Sequence, residues 1–284
     1  SKEMLVEVKT WLSSTFEMKD MGNASYVLGV EILRDRNKGT LGLSQRNYLK
    51  FVLKRFSMEN CKPALVPMAV GIKLSEGMCP KTLEEKKRME KTPYASALGS
   101  LMYAMLFTRP NLCYTVGVLS RYQMNPGIGH WNQIKHALRY VQGTLDYSLC
   151  FKQKDLQLQG YTNADWQGDL DDRKSTSRYL FTLAGGAISW SSKKQDSVAL
   201  SSMEAEYIAA SKAVKEAVWL KEFLLTLKIV ESASKPVVVY CDNHAAIKVS
   251  RYPKFHSKIK HIEGRYHYIF LWIFNVVLIW LLTP

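Results

Sequence analysis

Apolar residues recur at helical spacing through Leu5, Val8, Trp11 and Leu12, which predicts a helix at the start of the chain. Tyr26 to Leu33 reads as a strand, Asn37-Lys38-Gly39 as a turn, and Thr40 to Ser44 as the returning strand. A helix mixing Tyr48, Phe51, Val52 and Phe56 with Lys54 and Arg55 follows, and Pro63 and Pro67 close this first region. A charged loop is expected from Gly71 to Lys91. Three helical runs come next, through Leu98, Leu101, Met102 and Met105, then Val116 to Tyr122, then His130 to Val141, with Pro110 and Pro126 between them. They read as a helical connection without a catalytic constellation, its methionines filling core space. From Leu149 the pattern turns to mixed α/β. Leu156 to Asp165 alternates as a strand, and Arg178 to Leu183 and Ala187 to Ser191 form a hairpin around Gly185-Gly186. A long helix spans Ser202 to Lys228, Val237 to Cys241 is a short strand of the fully buried type, and another helix starts near Asn243.

The long helix is the most informative element. Ser201-Ser202-Met203-Glu204 fits a capping box, which gives Glu204 a structural role. At 100° per residue, Ala205, Ala209, Ala213, Ala217, Leu220 and Leu224 form one stripe, and Glu206 projects into it. Glu204 falls on the other side with Lys215 and Glu222. A carboxylate on a buried face is costly unless compensated, and a metal ion compensates it. Glu206 is therefore the candidate ligand, with a rim position or a lysine partner as the plainer alternative. Asp242 sits between the buried strand and the next helix, where it either takes part in chemistry or caps that helix. Asn163 and Asp165 share one face of their strand, roughly 7 Å apart. Carboxylates converging on hard cations suit two-metal hydrolysis of a phosphodiester, with Mg²⁺ or Mn²⁺ as cofactor.

Composition narrows the classes. Hydrophobic residues make up 47% and charged residues 23%, so the chain can build cores and is not a disordered polymer. Lys plus Arg is 39 against 25 for Asp plus Glu, a net charge of +14 that favours a polyanionic partner, nucleic acid first and an anionic membrane second. Cys61, Cys79, Cys113, Cys150 and Cys241 form no CxxC pair, and no secretory signal opens the chain, so a disulfide framework is not expected. His256, His261 and His267 are too irregular for a zinc signature, and Cys241 does not complete one. No phosphate-binding glycine loop is present. Ile269 to Leu282 is almost wholly apolar, at the upper limit of the roughly 10–14 residues of a buried or interfacial run. No partner for it is evident in the pattern, so it is expected to lie outside the fold as a read-through segment. The start at Ser1 without methionine suggests a cut through something longer.

The sequence resembles copia-type retrotransposon Pol polyproteins. Phe16 to Gly22 with Leu28-Gly29-Val30-Glu31-Ile32 resembles their late palm, and Leu43 to Tyr48 their thumb. Tyr94 to Ser120, His130-Trp131 and Leu138-Arg139-Tyr140 resemble their connection. Asp172 to Ser177, Ile188 to Gln195, Glu204-Ala205-Glu206-Tyr207 and Cys241-Asp242-Asn243 resemble their ribonuclease H domain. The resemblance implies an α/β ribonuclease H-like mixed sheet with helices, preceded by an α+β fragment of reverse-transcriptase palm end, thumb and connection. The expected divisions are 1–67 for palm end and thumb, 68–148 for linker and connection, 149–269 for a truncated ribonuclease H-like domain, and 270–284 for an aberrant hydrophobic tail.

The resemblance also implies a four-carboxylate metal site that cuts the RNA strand of an RNA–DNA hybrid. By residue, the helix glutamate is Glu206 and the next aspartate is Asp242. The family's first-strand motif, Tyr-Ser/Thr-Asp-Ala-Asp-Trp, here reads Tyr161-Thr162-Asn163-Ala164-Asp165-Trp166, which puts an amide at a ligand position. Asp165 is the candidate stand-in. The usual glycine after Ser-Thr-Ser is Arg178. The last catalytic aspartate belongs beyond Ile269, and the polymerase aspartates upstream of Ser1, so no polymerase activity is expected of these residues. The expected function is that of a catalytically defective remnant that still binds RNA–DNA hybrid or other nucleic acid. The alternatives are a weak metal-dependent hybrid ribonuclease, a product anchored to a membrane by its hydrophobic tail, and a pseudogene product with no function. A cytoplasmic or nuclear location is expected, with membrane as the alternative, and the oligomeric state is left open.

Overall fold

The computed structural model describes residues 2–152, 156–227, 235–251 and 276–280. Helix α1 (Lys2–Thr15) leads into β1 (Tyr26–Val27), β2 (Val30–Asp35) and β3 (Thr40–Ser44). The pattern predicted one strand from Tyr26 to Leu33. Two are found, because Leu28 (φ 47°) and Gly29 (φ 73°) form a left-handed two-residue turn of the hairpin type. The Tyr103 hydroxyl donates to the Leu28 carbonyl and pins that turn to the connection.

Helix α2 (Arg46–Arg55) follows directly. Within the expected charged loop lies α3 (Leu83–Glu90), opened by a complete capping box: Glu85 N–H donates to Thr82 Oγ1 at 3.2 Å, and Thr82 N–H to Glu85 Oε2 at 3.1 Å. Helices α4 (Tyr94–Phe107), α5 (Cys113–Leu119) and α6 (Ile128–Gly143) form the connection and share one core with α2. Leu49, Leu98, Leu101, Leu112, Leu119, Ile134 and Leu138 are each no more than 1% exposed in it. Two hydrogen bonds tie polar groups across this core: Thr108 Oγ1 donates to Gln45 Oε1 at 2.7 Å, and the Tyr94 hydroxyl to the Leu119 carbonyl at 2.8 Å.

Strand β4 (Leu149–Lys152) does not join the sheet that follows it. It pairs antiparallel with β3, Leu149 against Leu43 and Lys152 against Thr40, and completes a four-stranded sheet in the order β1-β2-β3-β4. The third region of the sequence thus begins in space as the last strand of the first.

The second sheet contains β5 (Gln159–Asp165), β6 (Thr176–Leu183), β7 (Gly186–Lys194), β8 (Val237–Cys241) and β9 (Val276–Trp280), in the order β7-β6-β5-β8-β9. β5, β6 and β7 are mutually antiparallel, and β8 and β9 run parallel to β5. The hairpin turn is Ala184-Gly185, both left-handed, one residue earlier than expected. Helix α7 (Ser202–Leu227) lies across one face, and α8 (His244–Arg251) follows β8. Phe181, Tyr207, Ile208, Ala213, Ala217 and Val239 form the centre of this second core.

The expectation that the apolar tail lies outside the fold is corrected for Val276–Trp280. That segment pairs with β8, Val276 against Val237 and Leu278 against Val239, and both side chains are buried. The rest of the tail, His256, His261 and His267 lie outside the described residues. Among the described residues no helix is long and apolar enough to cross a membrane.

Candidate active-site cluster

The N-terminal turn of α7 meets the carboxyl ends of β5 and β8, where parallel neighbours in an α/β sheet leave a crevice. Ser201 caps the helix, its Oγ accepting from Glu204 N–H at 3.3 Å, while Glu204 Oε2 accepts from Leu200 N–H at 2.7 Å. The capping role read from spacing is present, but Glu204 is buried rather than on an open face.

Glu206 points from α7 to the sheet and is 6% exposed. Ala164 N–H donates to its Oε1 at 2.9 Å. Its Oε2 is buried and has no partner among the described residues. Burial pushes this carboxyl up to about 7; the Ala164 N–H opposes that, Asp242 adds to it, and Arg178 eases it. A carboxyl in this state is half protonated near neutrality.

Asp242 follows β8 and is exposed. Asn163 Nδ2 donates to its Oδ2 at 3.1 Å. The amide at the degenerate position thus holds one of the remaining carboxylates by a hydrogen bond. Cys241 is 1% exposed, and burial pushes its thiol up to about 12. One ligand atom each from Glu206, Cys241 and Asp242 lies within 4.8 Å of the others.

Asp165 is not part of that group. Arg178 Nη2 lies 3.5 Å from its Oδ2, and the Tyr114 hydroxyl donates to the same oxygen at 3.4 Å. The Arg178 guanidinium rests 4.1 Å above the Tyr114 ring, a cation–π contact with α5 of the connection. Arg178 stands directly opposite Asn163 across β5 and β6, so where the family has a glycine this chain carries a fixed positive charge beside the cluster. Arg178, Tyr114 and Cys241 were not singled out as site residues from the sequence. The Arg-for-Gly departure was the one available signal for the first two, and the Cys-Asp adjacency for the third. Tyr161, Asn163, Arg178, Leu180, Tyr240 and Asp242 line an open cleft of about 350 Å³ that adjoins the cluster at Asp242, and Tyr161 and Tyr240 stack there at 5.2 Å.

These residues do not fit a pair of hard cations. Mg²⁺ requires oxygen donors in near-octahedral array. Here Asn163 directs an N–H into the cluster, Asp165 is taken by Arg178, and among the described residues only Glu206 and Asp242 offer carboxylate oxygens to it.

The strand order and directions of the second sheet, with the glutamate-bearing helix across it, define a ribonuclease H-like domain. The family profile described as reverse transcriptase (RNA-dependent DNA polymerase) matches residues 1–70. The chain is 51% identical to the retrovirus-related Pol polyprotein from transposon TNT 1-94 of Nicotiana tabacum, over 94% of this chain and 20% of that protein. It is 41% identical to the corresponding polyprotein from transposon RE2 of Arabidopsis thaliana, over 91% and 17%. Among solved structures, the ribonuclease H1 named LC11, isolated from compost, matches 44% of this chain and 84% of its own at 16% identity and a TM-score of 0.30. The chain belongs to the family of copia-type retrotransposon Pol polyproteins. It spans about a fifth of the length of the curated relatives it matches first.

Proposed function

We propose that this chain is a Pol segment that binds RNA–DNA hybrid while its ribonuclease H centre is catalytically defective. The observation that carries the reading is the Asn163–Asp242 hydrogen bond. Where in-line hydrolysis needs a carboxylate to hold a metal, an amide holds a carboxylate instead. Glu206 is still buried and aimed at the same point, so the scaffold of the centre persists without its full charge. The other half of the reading, the binding, rests on the excess of 39 basic over 25 acidic residues. Such a surface neutralises phosphates and releases counterions, and an A-form-like duplex is read by backbone, 2′-hydroxyl and groove shape rather than base edges.

The test is fluorescence anisotropy with a labelled hybrid, beside a cleavage assay in Mg²⁺. Binding is expected to weaken by about tenfold or more between about 50 and 200 mM salt, with little sequence preference. Cleavage is expected to be negligible. Affinity that does not change with salt, or turnover comparable to a competent ribonuclease H, would refute the reading.

A further inference from the structure

Cys241 immediately precedes Asp242, and its Sγ lies within 4.8 Å of a carboxylate oxygen of both Glu206 and Asp242. Glu206 is 6% exposed, yet its Oε2 has no hydrogen-bond donor among the described residues. A buried, unpartnered carboxylate oxygen beside a thiol and a second carboxylate is a place where a bound cation supplies the missing partner.

We propose that Glu206, Cys241 and Asp242 form a site for one thiophilic divalent cation of the Zn²⁺ type. One sulfur and two carboxylate oxygens hold it, and solvent takes the fourth position. Zn–S of about 2.3 Å and Zn–O of about 2.0–2.2 Å place tetrahedral donors roughly 3.4–3.6 Å apart. Side-chain rotation that closes the present spacing, at most 4.8 Å, by roughly 1.2–1.4 Å is enough. The sulfur corner is what separates this site from one for Mg²⁺, which takes oxygen alone. As the ion binds, Cys241 gives up its thiol proton to solvent and the Sγ–metal bond forms, with no change of oxidation state. One thiolate and two carboxylates exceed the charge of one dication by one, and exposed Asp242 leaves that excess open to solvent. The inference concerns metal binding alone and is tested without nucleic acid.

The experiment titrates the full chain, reduced and stripped with chelator, with Co²⁺ as a spectroscopic substitute for Zn²⁺. A thiolate-to-cobalt charge-transfer band should grow to one equivalent. Zn²⁺ should abolish it stoichiometrically, and a hundredfold excess of Mg²⁺ should leave it. Cys241→Ser should remove the band. Asp242→Asn, at an exposed position where folding is not at stake, should weaken Co²⁺ binding at least about tenfold. A band that survives Cys241→Ser, an affinity unmoved by Asp242→Asn, or displacement by Mg²⁺ would each overturn the proposal. Because the readouts are spectroscopic, they stand apart from the hybrid-binding assay, and either result can fail alone.

Discussion

At Glu206, helix geometry and burial set a measurable pH dependence. Its folded carboxyl is raised from the ordinary range to about 7, so between those values the folded state holds a proton that the unfolded state has released. Stability therefore falls as pH rises through this window, by an amount on the order of 2–3 kcal/mol. Glu206→Gln keeps an acceptor for Ala164 N–H and removes the charge. With chelator present, thermal unfolding should show the variant more stable than the parent at pH 8, with the gap closing near pH 5. Asn163→Asp should do the reverse: it puts a third carboxylate beside Glu206 and Asp242 and removes the amide hydrogen bond. That variant is expected to unfold at a lower temperature without metal and to recover in part when Mg²⁺ is added, while cleavage stays low. Glu206 could be read from the sequence because a helix stripe is a local property. The separation of Asp165 from the cluster could not. Strand alternation gives the face of Asn163 and Asp165, but the arginine and tyrosine that hold Asp165 come from β6 and from the connection.

Among the elements, those whose signal is local were the ones legible in advance. The long helix, the connection helices and the β6–β7 hairpin follow from periodicity and turn residues. Helix α3 carried its own signature, Thr82 and Glu85 three residues apart ahead of Leu83–Glu90, and the surrounding charge hid it. The β1–β2 turn was hidden because Leu28 adopts a left-handed conformation that leucine seldom takes, supported by the Tyr103 hydroxyl from a distant helix. Strand β9 was hidden for another reason. Its buried positions Val276 and Leu278 alternate with Val277 and Ile279, which are apolar as well, so no period of two shows. Removing residues after Tyr268 would expose the edge of β8 and strip Val276 and Leu278 from the core. The shortened protein is expected to unfold at lower denaturant and to aggregate more readily, as followed by circular dichroism and light scattering. At the centre of the same sheet, a methyl group added to Gly160 would lie 2.4 Å from Phe181 Cε1, and Phe181 is fully buried. Gly160→Ala should cost about 1–3 kcal/mol in a denaturant titration.

Across the whole molecule, the connection and the second sheet are fastened by charge. Arg121 Nη1 lies 2.6 Å from Asp169 Oδ2, and Lys194 Nζ lies 3.2 Å from the same atom. Asp171 accepts from Glu76 N–H at 2.9 Å and from the Tyr122 hydroxyl at 3.2 Å. Trp190 Nε1 donates to the Met105 carbonyl at 3.0 Å. Burial works to raise the Asp169 carboxyl, but the Asp172 N–H, Lys194 and the Asp171 N–H together hold it below the usual range. Its contribution is present above the unfolded value of about 3.9 and is lost as pH falls through the folded value. Asp169→Ala removes the carboxylate that Arg121 and Lys194 share; Lys194 keeps Asp172 at 2.8 Å, while Arg121, among the described residues, keeps only the Thr176 hydroxyl. The substitution is expected to cost about 2–3 kcal/mol and to loosen the connection from the sheet, seen as faster amide exchange in α5 and β7. None of this fastening could be read from the sequence, since Arg121 and Asp169 are ordinary surface residue types until the fold brings them together.

The pairing of β4 with β3 decides where this protein can be divided. The sequence changes character at Leu149, and a dissection or an exchange between elements guided by composition would cut there. Such a cut strands Leu149–Lys152 on the wrong piece. The upstream product is left with the bare edge of β3, open to any passing strand, and the downstream product carries a short ribbon held only at the β6–β7 turn, where Lys152 N–H donates to the Ala184 carbonyl at 2.8 Å. A division between Lys152 and Gln159 leaves both sheets whole. Fragments of this chain prepared for separate study are therefore expected to stay dispersed when cut in that stretch and to clump when cut at Leu149.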